Sequence, residues 1–79
     1  MRLPRGLSGD DLSRALQILD YGVTRQTGSH LRLTTMRHGE HHVTILRHDP
    51  LRVGTLSAVL GEVARHHDLS REALLELLF

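Results

Sequence analysis

His30 stands directly after Gly28-Ser29, with Arg32 two residues further on and Arg25 on the other side of the Gly-Ser pair. Residues two apart on a strand share a face, so a strand beginning at His30 points His30 and Arg32 the same way. A turn at Gly28-Ser29 brings Arg25 back toward them. An imidazole among guanidinium groups suits phosphodiester cleavage in RNA. The RNA 2′-hydroxyl is an internal nucleophile beside phosphorus, and DNA lacks it. Imidazole has an ordinary pKa of about 6.5 and exchanges protons near neutral pH. Such proton transfer is typically worth about 10²–10⁴-fold. Arginine donors stabilise negative charge on the non-bridging oxygens. A histidine after Gly-Ser is nevertheless more often a plain surface residue, and the spacing alone leaves both readings open.

The other histidines offer less. His41-His42 are neighbours on a strand and point to opposite faces. His66-His67 are neighbours near a helix end and diverge. Neither a His-x-His nor a helical His-x-x-x-His occurs. A grouping of His38, His41 and His48 across a turn is the remaining metal arrangement, and the expectation is that no metal or other cofactor is used. Ser29 beside His30 is no nucleophile–base pair, because strand neighbours face apart. No Walker loop or GxGxxG is present. Tyr21 and Phe79 are the only aromatic residues, too few for base-stacking platforms. Contact with RNA would therefore run through backbone charge and shape.

Charge is unevenly spread. Net charge is only +1, but five arginines (Arg25, Arg32, Arg37, Arg47, Arg52) lie between Thr24 and Arg52 against Glu40 and Asp49. Beyond Val53, Arg65 and Arg71 meet Glu62, Asp68, Glu72 and Glu76. A basic middle beside an acidic tail suggests that the middle meets phosphate. Every basic residue is arginine, whose planar donor fork fits phosphate oxygens. The 79 residues suffice for one domain, 1–79. Such a domain buries only about 60% of its unfolded surface. With no cysteine to staple it, packing or a partner must help, so an oligomer or complex is expected. Lack of cysteine, of a signal-like apolar segment in Met1 to Ser13 and of a membrane span points to a cytoplasmic protein away from membranes.

Local signals give the elements. Ser8 reads as an N-cap, with Leu7 and Leu12 as its staple and Asp10 and Asp11 at the positive helix end. Leu12, Ala15, Leu16 and Leu19 then form a helical stripe that Gly22 stops. Val23 to Thr27 reads as a strand. Leu31, Leu33 and Thr35 alternate with His30, Arg32, Thr34 and Met36, and Val43 and Ile45 alternate with His42, Thr44 and Leu46. Three strands joined by short turns predict an antiparallel meander with one apolar face. Gly54-Thr55 opens a helix bearing Leu56, Val59, Leu60 and Val63. Ser70 caps a short last helix with Leu74, Leu77 and Leu78 on one side and Leu75 and Phe79 on another. That last helix is apolar over more than one face, which fits extra packing or contact with another chain. The expected class is α+β: a helix, a three-stranded antiparallel sheet, a helix and a short C-terminal helix, with the face bearing His30 left open.

The run Gly22-Val23-Thr24-Arg25-Gln26-Thr27-Gly28-Ser29-His30 resembles the signature of the HicA (YcfA-like) toxin family. So do Val43-Thr44-Ile45, His48-Asp49-Pro50, Gly54-Thr55-Leu56 and the terminal Leu-Ser-Arg-Glu-Ala-Leu segment, in the same order, from Leu7 to Leu78. The resemblance implies a sandwich like the double-stranded-RNA-binding domain. It implies an mRNA interferase of a type II toxin–antitoxin system, silenced by a HicB-like antitoxin. It assigns the catalytic histidine to His30. With the resemblance, Arg25 and Arg32 become phosphate contacts, and Gly28 and Ser29 shape the turn that presents His30. Whether His30 is acid or base, and whether the 2′-hydroxyl or water attacks, stays open. A non-catalytic RNA-binding or regulatory module, or a purely structural interaction domain, is the alternative.

Overall fold

Ser8 sets where the chain first becomes helical. In the computed structural model, which describes residues 3–79, its hydroxyl accepts from the Asp11 amide at 3.0 Å while the Asp11 carboxylate accepts from the Ser8 amide at 3.1 Å. This reciprocal pair satisfies two helix-end donors and starts helix α1, Gly9–Ala15. The reading of the first residues as free of a signal segment includes Met1 and Arg2, which lie outside the described residues.

The expected stripe through Leu19 holds, but its backbone changes. Leu16–Leu19 is a 3-10 helix, and Asp20 with φ 64° ends it. Gly22 therefore does not stop the helix; it opens the first strand. The tighter last turn frees carbonyls that find partners elsewhere. Thr35 Oγ1 donates to the Leu19 carbonyl at 2.7 Å, and Arg37 Nη1 donates to the Ile18 carbonyl at 3.1 Å. Aspartate is one of the few residue types that enters the left-handed region readily.

Three antiparallel strands follow in the order β1 (Gly22–Thr27), β2 (His30–Thr35), β3 (His41–Leu46). His30 pairs with Leu46 and Thr35 with His41, so β2 and β3 run their full lengths together. Leu31, Leu33 and Thr35 of β2 and Val43 and Ile45 of β3 are buried. Helix α2 (Val53–His66) lays Leu56, Val59, Leu60 and Val63 against that face, joined by Leu12 and Leu16. The architecture is α+β, with helices on one side of an open sheet. The apolar face expected of all three strands is confined to β2 and β3. All six residues of β1 are exposed, and Val23 keeps 52% of its surface. The helices cause this by packing mainly on β3, at the opposite edge.

Ser70 accepts from the Ala73 amide at 3.0 Å and starts α3 (Arg71–Leu78). Leu74 is sealed, with Leu69, Leu75 and Leu78 packed beside it. The core side of α3 thus runs through Leu74, Leu75 and Leu78, which leaves Leu77 at its margin. Leu77 and Phe79 remain 42% and 49% exposed, so the last helix is packed on one side only. Arg71 locks it to α2 by donating to the Ser57 hydroxyl at 2.8 Å and the Ser57 carbonyl at 2.9 Å. No helix among the described residues is long and apolar enough to cross a membrane.

The first turn of α1 presses on the end of β3. A Cβ on Gly9 would overlap the Leu46 carbonyl oxygen, and that backbone belongs to the sheet. Gly9→Ala is expected to destabilise the fold by about 1–3 kcal/mol. Gly22→Ala, whose Cβ meets nothing within 4 Å, is expected to stay within about 0.5 kcal/mol of the parent. Urea denaturation of both variants measures this, and equal midpoints contradict the close approach.

Candidate active site on the open sheet face

The site begins with the turn. Gly28-Ser29 links Thr27 to His30, which are paired across the hairpin. Gly28 has φ 57°, the left-handed geometry that glycine enters without strain and that two-residue hairpin turns demand. The Arg47 amide donates to the Ser29 carbonyl at 2.7 Å, tying the turn to the end of β3. Arg47 is itself held by Asp10 of α1, through Nε at 3.1 Å and Nη2 at 3.2 Å. The hairpin end that presents His30 is thus fastened to both the neighbouring strand and the first helix.

His30 is exposed and makes no side-chain hydrogen bond among the described residues. Arg32 is exposed on the same face of β2. Arg25 is the direct cross-strand partner of Arg32, which puts their Cβ atoms about 4.5–5.5 Å apart. A bulge makes this pairing. The register shifts between Val23 and Arg25, so Thr24 is an extra residue and both Thr24 and Arg25 serve the open face. Neither Arg25 nor Arg32 has an ion-pair partner among the described residues. Two unpaired guanidinium groups side by side present donor forks whose geometry suits the oxygens of an anion. The sequence places Arg25 near Arg32, but the bulge that opposes them is not written in any local pattern.

The same face carries a polar row further along. Thr24 Oγ1 and Thr34 Oγ1 are 2.8 Å apart, Thr34 Oγ1 and His42 Nδ1 are 2.7 Å apart, and His42 Nε2 lies 2.6 Å from Glu40 Oε2. Thr34 pairs with His42, and His30 with Leu46. His42 is therefore four residues along the sheet from His30, about 13 Å away. The two histidines do not share one phosphodiester.

A second cluster escaped the sequence reading. Tyr21 is buried, and its hydroxyl lies 2.7 Å from His41 Nδ1 and 3.0 Å from His67 Nε2. His66 stacks on His41 with ring centroids 4.3 Å apart, and His38 meets His67 edge-on at 5.3 Å. His66 Nε2 donates to the Arg37 and Gly39 carbonyls at 3.1 and 3.0 Å. Adjacent His66 and His67 do diverge, yet both join this cluster. Seven histidines and a lone tyrosine in so short a chain were the available signal. His48 lies past the other end of β3, so the His38, His41 and His48 grouping is not assembled. No set of three metal-ligating side chains among the described residues is placed to hold an ion.

Burial pushes the Tyr21 hydroxyl up to about 12, with the Glu62 carboxylate adding to it. Burial is also the main cause that lowers the His41 and His67 pKa values, and the neighbouring His66 reinforces it. Tyr21 has one proton for two imidazoles, so it donates to one ring and accepts from the other. His67 Nδ1 is buried without a partner among the described residues.

Comparison with family models, curated proteins and solved structures finds no match to this chain.

The half-buried His41 and the buried His67 make stability depend on pH with a defined sign. Unfolded histidine takes its proton near 6.5, while folded His41 and His67 resist it. Below that pH the unfolded state binds more protons, so stability falls with falling pH. The loss begins near pH 6.5 and is complete once pH passes the lowered folded values. Melting temperature is expected to be flat above about pH 7 and to drop as pH falls below about 6.5. Tyr21→Phe, which leaves both rings unsatisfied, is expected to cost about 1–3 kcal/mol. A melting temperature unchanged from pH 7.5 to 5 contradicts the account.

Proposed function

We propose that this protein is an RNA-cleaving domain of the toxin–antitoxin kind, related to the HicA toxins, with His30 as its acid–base residue. The observation that carries the reading is an exposed imidazole on the same sheet face as two directly opposed arginines that lack ion-pair partners. Like charges placed opposite each other are unfavourable, and a bound phosphate relieves that repulsion. Arg25 and Arg32 hold the non-bridging oxygens, and the Gly28-Ser29 turn presents His30 at the rim. The imidazole then moves a proton at the attacking oxygen or the leaving 5′-oxygen. The order helix, three-stranded antiparallel sheet, helix, with one bare sheet face, supports a likeness to the double-stranded-RNA-binding domain. Leu77 of α3, Phe79 just past its end and Ile18, which lines one hollow with Leu77, give apolar surface that a HicB-like antitoxin would cover.

The test uses end-labelled RNA, with and without chelator, beside a substrate lacking 2′-hydroxyls. His30→Ala is expected to lower the cleavage rate by about 10²–10⁴-fold at unchanged melting temperature. Arg25→Ala and Arg32→Ala are expected to weaken binding and to flatten its dependence on salt. The termini of the products tell 2′-hydroxyl attack from water attack. Undiminished cleavage by His30→Ala overturns the assignment. Salt-dependent binding without cleavage by either form selects the non-catalytic RNA-binding module.

A further inference from the structure

The polar row on the open face has a direction. Among the described residues, Glu40 ends the row, and an ionised carboxylate only accepts. His42 Nε2 therefore donates to Glu40 at 2.6 Å. In a neutral ring that leaves Nδ1 with the lone pair, so the Thr34 hydroxyl donates to it at 2.7 Å. Thr34 Oγ1 then accepts from Thr24 Oγ1 at 2.8 Å, the single Thr24 proton being shared with the Arg32 carbonyl at 3.3 Å. Carboxylate, imidazole and hydroxyl stand in the order orienting group, base, nucleophile.

The fold builds this row from two strands and a turn. His38 and Gly39, both left-handed with φ 60° and 98°, bend the chain so that Glu40, just before β3 and two residues ahead of His42, reaches the His42 ring. Register pairs His42 with Thr34, and the bulge in β1 delivers Thr24. No helix covers this side of the sheet, and Thr34 and His42 are only partly buried. Arg32 is two residues from Thr34 on the same face, about 7 Å along the strand, within reach of a guanidinium. A cleft of about 600 Å³ between β3 and α2 borders His42, with Thr44, Thr55, Ala58 and Glu62 in its walls.

We propose that Glu40, His42 and Thr34 form a hydrolytic centre in which Thr34 is the nucleophile toward carboxylic esters that carry an anionic group. Thr34 Oγ1 attacks the carbonyl carbon while its proton passes to His42 Nδ1. Arg32 binds the anionic part of the substrate. The ester C–O bond breaks, and His42 returns the proton to the departing alkoxide. Water then attacks the acyl–Thr34 ester, with His42 taking its proton. The acyl–oxygen bond breaks, and Thr34 regains a proton from His42. One ester and one water give one acid and one alcohol. Thr34 and His42 are the catalytic residues, Glu40 is a positioning residue, and Thr24 orients the nucleophile.

The test is covalent labelling of the full chain with a fluorophosphonate. The probe forms an Oγ–P bond at an activated hydroxyl as its P–F bond breaks, and the hydroxyl proton leaves with fluoride. Peptide mass mapping is expected to find one adduct, on Thr34. Thr34→Val is expected to take none. Glu40 is exposed, so Glu40→Gln keeps the fold even where the valine variant does not. It is expected to slow labelling roughly tenfold or more at unchanged melting temperature, with Glu40→Asp intermediate. An unlabelled Thr34, or labelling of Thr34 that Glu40→Gln leaves unchanged, overturns the proposal and makes the row a brace between strands. The readout is an adduct and not RNA scission, so its failure leaves the RNA reading standing, and the reverse holds.

Discussion

The alternation of β2 is the constraint on which the site depends. Leu31, Leu33 and Thr35 are held down, the leucines by apolar packing and Thr35 by its bond to the Leu19 carbonyl. Residues two apart share a face, so His30, Arg32 and Thr34 must stand on the other side. A slip of one residue would exchange the two sets and bury the charges. Several features prevent the slip, and they lie far apart in sequence. The left-handed Gly28 fixes the hairpin, the Arg47 amide holds the Ser29 carbonyl, and the bare backbone of Gly9 lets α1 close on Leu46. The outward face owes its composition to the inward one.

That outward face is unusual in what it tolerates. Arg25 opposite Arg32 raises the energy of an empty sheet. The penalty stays small because β1 is exposed along its whole length, where water screens like charges. The same lack of cover that leaves Val23 in solvent allows two cations to stand side by side. At the other end of the sheet the opposite choice is made. Tyr21, His41 and His67 are drawn inward and satisfy each other, at the cost of one ring nitrogen without a partner. A small core that spends interior volume on imidazoles gives up apolar contact and gains sensitivity to acid.

Much of this was legible where the signal is local. Ser8 and Ser70 act within three residues of themselves, and both caps are where the sequence puts them. The β2 and β3 patterns are period-two and short, and the alternation names the buried set correctly. The α2 stripe of Leu56, Val59, Leu60 and Val63 is buried as its spacing requires. What the sequence hid is set by partners far away. The 3-10 turn at Leu16–Leu19 depends on Thr35 and Arg37, and the exposure of β1 depends on where α2 packs. Tyr21 meets His67 across 46 residues, a separation no periodicity encodes. In the candidate site, the types of His30, Arg25 and Arg32 were readable, but the bulge that opposes the arginines was not. Leu77 and Phe79 read as part of a broad apolar helix, and only packing separates them from Leu74 and Leu78.

The central claim is that a phosphodiester chain lies on the face carrying His30, Arg25 and Arg32. Backbone and arginine side-chain NMR shifts, followed while a short 2′-O-methyl RNA that cannot be cleaved through its own hydroxyl is added, test this directly. The account expects the largest changes at His30 and at the Arg25 and Arg32 side chains, fading as salt is raised. Changes centred on α2 and α3, with the open sheet face silent, would contradict it.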